Sequence, residues 1–69
     1  MISYEKLRIV MAKRKLEWKD IRKALNLTSR TINNLKDDLY VDLATLEKIC
    51  LYLELDIGDL MEIKKHHEH

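Results

Sequence analysis

Apolar residues recur three and four positions apart along most of this chain, the spacing of a helix with one buried face. Tyr4, Leu7, Val10 and Met11 predict a first helix from Ser3 to about Lys15. Ser3 is its expected N-cap, and Lys13, Arg14 and Lys15 fall in the last turn, where positive charge suits the helix dipole. Ile21, Ala24 and Leu25 share a face of a second, short helix over Trp18–Leu25, with Glu17 an indifferent cap before it. Asn26 is a common substitute for glycine at a left-handed helix end, and Leu27 returns an apolar side chain to the core. Thr28 caps a third helix running from Ser29 to about Asp37, with Ile32 and Leu35 inward. Asp37 and Asp38 at its negative end predict fraying. Leu39, Tyr40 and Val41 form a link. Asp42 caps a fourth helix, Leu43–Leu53, with a buried line of Leu43, Leu46, Ile49, Cys50 and Leu53. Asp56 and Asp59 approximate a capping box opening a fifth helix, through Leu60 to about Ile63. The pattern predicts an all-α domain of five helices over residues 1–63, followed by a disordered tail over 64–69.

Composition narrows the class. Sixty-nine residues make one domain, and the absence of proline with a single glycine suits helices and short turns. The longest apolar run, Ile49 to Leu53, is far short of the roughly 20 residues a membrane span needs. No signal-peptide pattern opens the sequence. One cysteine excludes a disulfide within the chain and fits a cytoplasmic setting. A domain this small is often stabilised by oligomerisation, so a dimer is expected.

The net charge of +1 conceals two opposed halves. Lys6 to Lys36 holds ten bases against two acids, a balance of +8; Asp37 to Ile63 holds eight acids against one base, a balance of −7. A basic half points to a polyanionic partner.

The segment Ile21–Leu35 carries the chemistry. Helix, asparagine turn and helix, with Ile21, Ala24, Leu27, Ile32 and Leu35 inward, is the pattern of a helix-turn-helix, with Ala24 small enough for two helices to cross closely. Ser29, Arg30, Asn33, Asn34 and Lys36 remain outside on the third helix. None is acidic, and such a face suits base edges and phosphates in a DNA major groove.

The chain resembles the Cro and phage-repressor (XRE-type) helix-turn-helix family, in particular a compact subgroup of short bacterial regulators. The resemblance lies in Ile2-Ser3-Tyr4 with Leu7, Asp20-Ile21-Arg22, Asn26-Leu27-Thr28 with Thr31-Ile32, Leu46 to Cys50, and Asp56 to Leu60. Asn26 stands where the family usually has glycine. Glu17 and Trp18 replace a hydroxyl residue and glutamine, which weakens the cap and sets an acid near the phosphates.

The resemblance implies a lambda-repressor-like five-helix fold and a transcriptional regulator that binds a pseudo-palindromic double-stranded operator as a homodimer. By position, Ser29, Arg30 and Asn34 are implied to contact bases. Thr28, Thr31 and Lys36 are implied to contact phosphate, as is Trp18 through its indole N–H, although an aromatic is more often packed on its neighbours than used as one donor. Arg14, Lys19 and Asn33 join the phosphate set on charge and position, with Lys13, Lys15, Arg22 and Lys23 as further flanking bases. Leu51, Tyr52, Met61 and Ile63 are candidate dimer contacts, with Leu39, Tyr40 and Val41 a second patch. The alternative is a protein-interaction module, an antitoxin or adaptor with the same fold and no operator of its own.

Nothing points to an enzyme. Cys50 lies on an apolar stripe and reads as a core thiol. No glycine-rich phosphate loop or paired cysteines are present, so no cofactor, metal or small-molecule substrate is expected. His66, His67 and His69 form a terminal cluster attributed to the tail.

Overall fold

The computed structural model describes residues 1–65, so the predicted tail over 64–69 and its histidines lie largely outside the described residues. Over the described residues the chain is all-α apart from one short pairing. Its helices are α1 (Glu5–Arg14), α2 (Trp18–Leu25), α3 (Ser29–Lys36), α4 (Leu43–Leu53) and α5 (Ile57–Leu60), and strands β1 (Ile2–Ser3) and β2 (Glu62–Ile63) pair antiparallel. Helix α2 packs on α3 and α4, and α5 packs on α1 and α4. The core is Tyr4, Leu7, Met11, Ile21, Ile32, Leu35, Leu46, Ile49, Cys50, Leu53 and Leu60.

The caps behave largely as the residue types dictate. Thr28 Oγ1 accepts from the Thr31 N–H at 3.1 Å, and Asp42 Oδ2 accepts from the Thr45 N–H at 3.3 Å. Asp59 accepts from the Asp56 N–H at 3.3 Å, the returning half of the expected box. Asp20 does the same for Glu17 at 2.8 Å, so the weak cap of α2 is strengthened from its third residue.

Helix ends are the less predictable part. Four of the five helices are closed by a left-handed residue, and none of these is glycine: Lys15, Asn26, Asp38 and Glu54 have φ of 58°, 54°, 59° and 57°. Each is followed by leucine, whose N–H reaches back five residues: Leu16 to Met11 O, Leu27 to Arg22 O, Leu39 to Asn34 O and Leu55 to Cys50 O, at 2.8–2.9 Å. This is the longer bond of the Schellman motif, with Leu16, Leu27 and Leu55 packed on the core beside it. The chain's one glycine, Gly58, lies within α5 and has no positive φ.

Several expectations are corrected. Ser3 belongs to β1, and α1 begins after Tyr4; the Ser3 hydroxyl still accepts the Glu5 N–H at 3.2 Å. Helix α3 ends at Lys36, one residue short of the expected Asp37, and Asp38 closes the turn after it, held by α1. Helix α5 stops at Leu60, and Glu62–Ile63 turn instead to an edge offered by Ile2–Ser3. Lys64 continues that pairing, its N–H donating to Met1 O at 2.7 Å. Ala24 is exposed, since the inner line of α2 runs Trp18–Ile21–Leu25 and leaves Ala24 on the flank. Leu43 is 77% exposed: a stripe marks which side faces inward, not how far the neighbouring helix extends. Met61, a candidate dimer contact, packs instead against the core.

Candidate nucleic-acid interface

Helix α3 is eight residues long and buries only Ile32 and Leu35. Ser29, Arg30, Asn33 and Lys36 are exposed, and neither the described chain nor an ion pair covers that face. Ser29, Asn33 and Lys36 follow one another at helical spacing and line a shallow groove of about 220 Å³ with Ile32. Trp18, Lys19 and Arg22 of α2 form the opposite wall. Trp18 stands at the first position of α2, its ring partly buried against the core and partly lining the groove. Both readings of that side chain are therefore compatible in one placement.

The groove is basic and contains no acid. Lys19, Arg22 and Lys36 converge on it, and Lys19 lies 3.6 Å from Glu17 in a solvent-exposed pair worth at most about 1 kcal/mol. Glu17 is thus offset by its neighbour. Arg22 is the residue underweighted by sequence reasoning; it lies one turn after Trp18, on the side that faces α3, and that spacing was its only signal. Lys23 lines a separate depression with Lys19, Arg22, Asn26 and Leu27.

The structure separates the other candidates. Thr28 and Thr31 sit at the start of α3 with their hydroxyls 3.0 Å apart, engaged with each other and with the cap. The side-chain amide of Asn34 donates to Tyr40 O at 3.3 Å, fixing the link after α3 and occupying one of its donors. Arg14 is not part of the groove. Its guanidinium donates to Leu53 O at 2.7 Å, at the C-terminal end of α4.

Arg14 is one of three bases on α1 with this kind of role. Lys6 donates to Gly58 O in α5 at 3.0 Å, and Arg8 donates to Leu35 O at 3.2 Å and Lys36 O at 3.4 Å at the end of α3. Cations on terminal carbonyls complement the helix dipole. The +8 of the basic half therefore overstates what a polyanion meets, because Lys6, Arg8 and Arg14 hold helix ends.

A model of the Cro/C1-type helix-turn-helix DNA-binding domain family matches residues 6–66. The chain belongs to this family. Among solved structures, this Cro/C1-type domain is similar to the transcriptional regulator VanUg, crystal form II, with a TM-score of 0.85 and 33% identity over 88% of this chain and 81% of that one. No curated protein matches the sequence. The Cro/C1-type assignment makes α2 and α3 the helix-turn-helix of a DNA-binding regulator, and α3 its second helix. Among the described residues no helix is long and apolar enough to cross a membrane, and no group of His, Cys, Asp and Glu is placed to hold a metal ion.

Proposed function

We propose that this Cro/C1-type domain is a sequence-specific transcriptional regulator in the cytoplasm that inserts α3 into the major groove of a double-stranded operator. The supporting observation is the uncovered face of α3, where Ser29, Arg30, Asn33 and Lys36 lie beside the basic wall of Lys19 and Arg22. Arg30 reads bases together with Ser29, and Asn34 reads a base with what remains of its amide. Trp18, Lys19, Thr28, Thr31, Asn33 and Lys36 fix the register on phosphates, and Arg22 is added to that set. Arg14 is left out because its guanidinium is engaged on α4.

The acting species is a homodimer on a pseudo-palindromic site, with half-sites about 34–36 Å apart. A second copy is the expected occupant of an apolar groove of about 490 Å³ between α4 and α5, lined in part by Leu43, Leu51, Leu55 and Ile57. Leu43 and Leu51 are more than 70% exposed in one copy, a large apolar area for so small a domain. Tyr52 is an exposed residue of the same helix.

Selection from a random duplex library, followed by single-base substitution in the selected site, tests this reading. Arg30→Ala should weaken the cognate site by about 1–3 kcal/mol and relax preference at one base pair. Equal weakening on every sequence would remove Arg30 from base reading. Absence of any enriched site at low salt would favour the protein-interaction module instead.

A further inference from the structure

The end of α3 is gripped by the first turn of α1 through a cluster that the interface does not use. Arg8 reaches across the gap between the helices. Its Nη1 donates to Leu35 O, Lys36 O and, at 3.0 Å, Asp38 Oδ1, and its Nη2 lies 3.4 Å from Asp38 Oδ2. Asp38 Oδ1 also accepts the Tyr4 N–H at 2.8 Å, and the buried Tyr4 hydroxyl donates to Leu39 O at 2.8 Å. Asp38 is itself the left-handed residue that closes α3. The carboxylate thus joins the stop of α3 to the start of α1, and Arg8 locks the two.

We infer that Arg8 is a positioning residue for DNA recognition: with Asp38 it sets the tilt of α3 relative to the body of the domain, without touching DNA. This rests on the reading of α3 as the recognition helix. Two buried side chains, Ile32 and Leu35, hold α3 against the core. The Asn26–Leu27 turn fixes one end, and the Arg8–Asp38 clamp fixes the other. An eight-residue helix is about 12 Å long, so a 10° swing about the Asn26–Leu27 end moves the Lys36 end by roughly 2 Å and Asn34, a proposed base reader, by about 1.5 Å. Contacts to base edges depend on displacements smaller than that. Direct phosphate binding by Arg8 is disfavoured, because its donors already face three carbonyl or carboxylate partners.

The test uses the full chain with Arg8→Gln, Arg8→Lys, Asp38→Asn and the Arg8→Gln/Asp38→Asn double variant, each at a temperature where circular dichroism shows it folded. Asparagine tolerates the left-handed conformation, so Asp38→Asn keeps the turn. Residual dipolar couplings of Ser29–Lys36, fitted with those of the other helices, read the tilt without DNA. Arg8→Gln should leave α3 no longer fitting the common frame. Its affinity for the selected operator should fall roughly tenfold, with under twofold loss on unrelated duplex. The salt slope should be unchanged, Arg8→Lys should recover little, and the double variant should be no worse than Arg8→Gln alone. An α3 that keeps its orientation in Arg8→Gln overturns the proposal, as do losses that add in the double variant. A salt slope smaller by about 0.9 would assign Arg8 to a phosphate instead. A wild-type chain that selects no operator would sink the recognition reading, while the couplings still decide whether Arg8 sets the tilt.

Discussion

Replacing Lys15 and Glu54 with glycine should make the domain more stable. Both residues close a helix in the left-handed region, Lys15 at φ 58° and ψ 39° and Glu54 at φ 57° and ψ 49°, and both are exposed. An L-residue other than asparagine or aspartate costs roughly 1–2 kcal/mol there, because Cβ crowds the carbonyl that follows it; glycine has no such contact. Against this, glycine enlarges the freedom of the unfolded chain, an opposing effect of about 0.4–1 kcal/mol. The net gain is about 0.5–1 kcal/mol at each site. Glu54→Gly also removes a negative charge from the negative end of α4, a gain of a few tenths of a kcal/mol that the loss of the favourable Lys15 charge at the end of α1 offsets. Together the two substitutions should contribute about 1.5 kcal/mol, which for a domain of this size raises Tm by roughly 6–12 °C. Thermal and urea melts by circular dichroism measure this. Two controls share the backbone geometry: Asn26→Gly should change stability by only a few tenths of a kcal/mol, and Asp38→Gly should destabilise because its carboxylate holds Arg8 and the Tyr4 N–H. An unchanged or lower Tm in Lys15→Gly and Glu54→Gly would refute the reasoning, as would a rise in Asp38→Gly.

Acid should weaken the fold partly through Asp38. Its hydrogen bonds with the Arg8 side chain and the Tyr4 N–H hold its carboxyl below the ordinary aspartate range. A folded pKa below the unfolded one contributes stability that is complete above about pH 4 and is lost as pH falls through the folded value. Urea midpoints from pH 6 to pH 2 should therefore fall less steeply in Asp38→Asn than in the wild type; parallel curves would exclude this contribution. Arg14→Gln should cost about 0.5–1.5 kcal/mol of stability by freeing Leu53 O and leave the salt dependence of DNA binding unchanged, measured by melts and by titrations at several salt concentrations. A reduced salt slope would return Arg14 to the phosphate-contacting set.

The helix pattern was legible wherever a residue type carries its own geometric signature. Asn26, Thr28, Asp42 and the Asp56–Asp59 pair marked helix ends correctly because each acts on backbone groups within four residues. Lys15 and Glu54 carry no such mark: their left-handed conformation goes with the packing of Leu16 and Leu55 behind them on the core, whereas Asp38 is held by Arg8 and the Tyr4 N–H and is followed by an exposed Leu39. The β1–β2 pairing was invisible because two residues per strand show no period. The three helix-capping bases of α1 looked like any other surface charge, since their partners lie 27 to 52 residues away in the chain. That distance also explains Arg14, whose charge was correctly noticed and whose partner was not. In the groove, the positions on α3 followed directly from helical spacing, but the wall from α2 depended on the angle between two helices, which periodicity does not report.

The pairing of β1 with β2 has a topological consequence. Met1 and Lys64 exchange main-chain hydrogen bonds, Met1 N donating to Lys64 O at 3.1 Å and Lys64 N to Met1 O at 2.7 Å. Residues 1 and 64 thus adjoin at one spot on the surface, next to the Asp37–Tyr40 segment. Such a unit is suited to being spliced into a host protein's surface loop, or to being recut with new ends, without stretching the helices between.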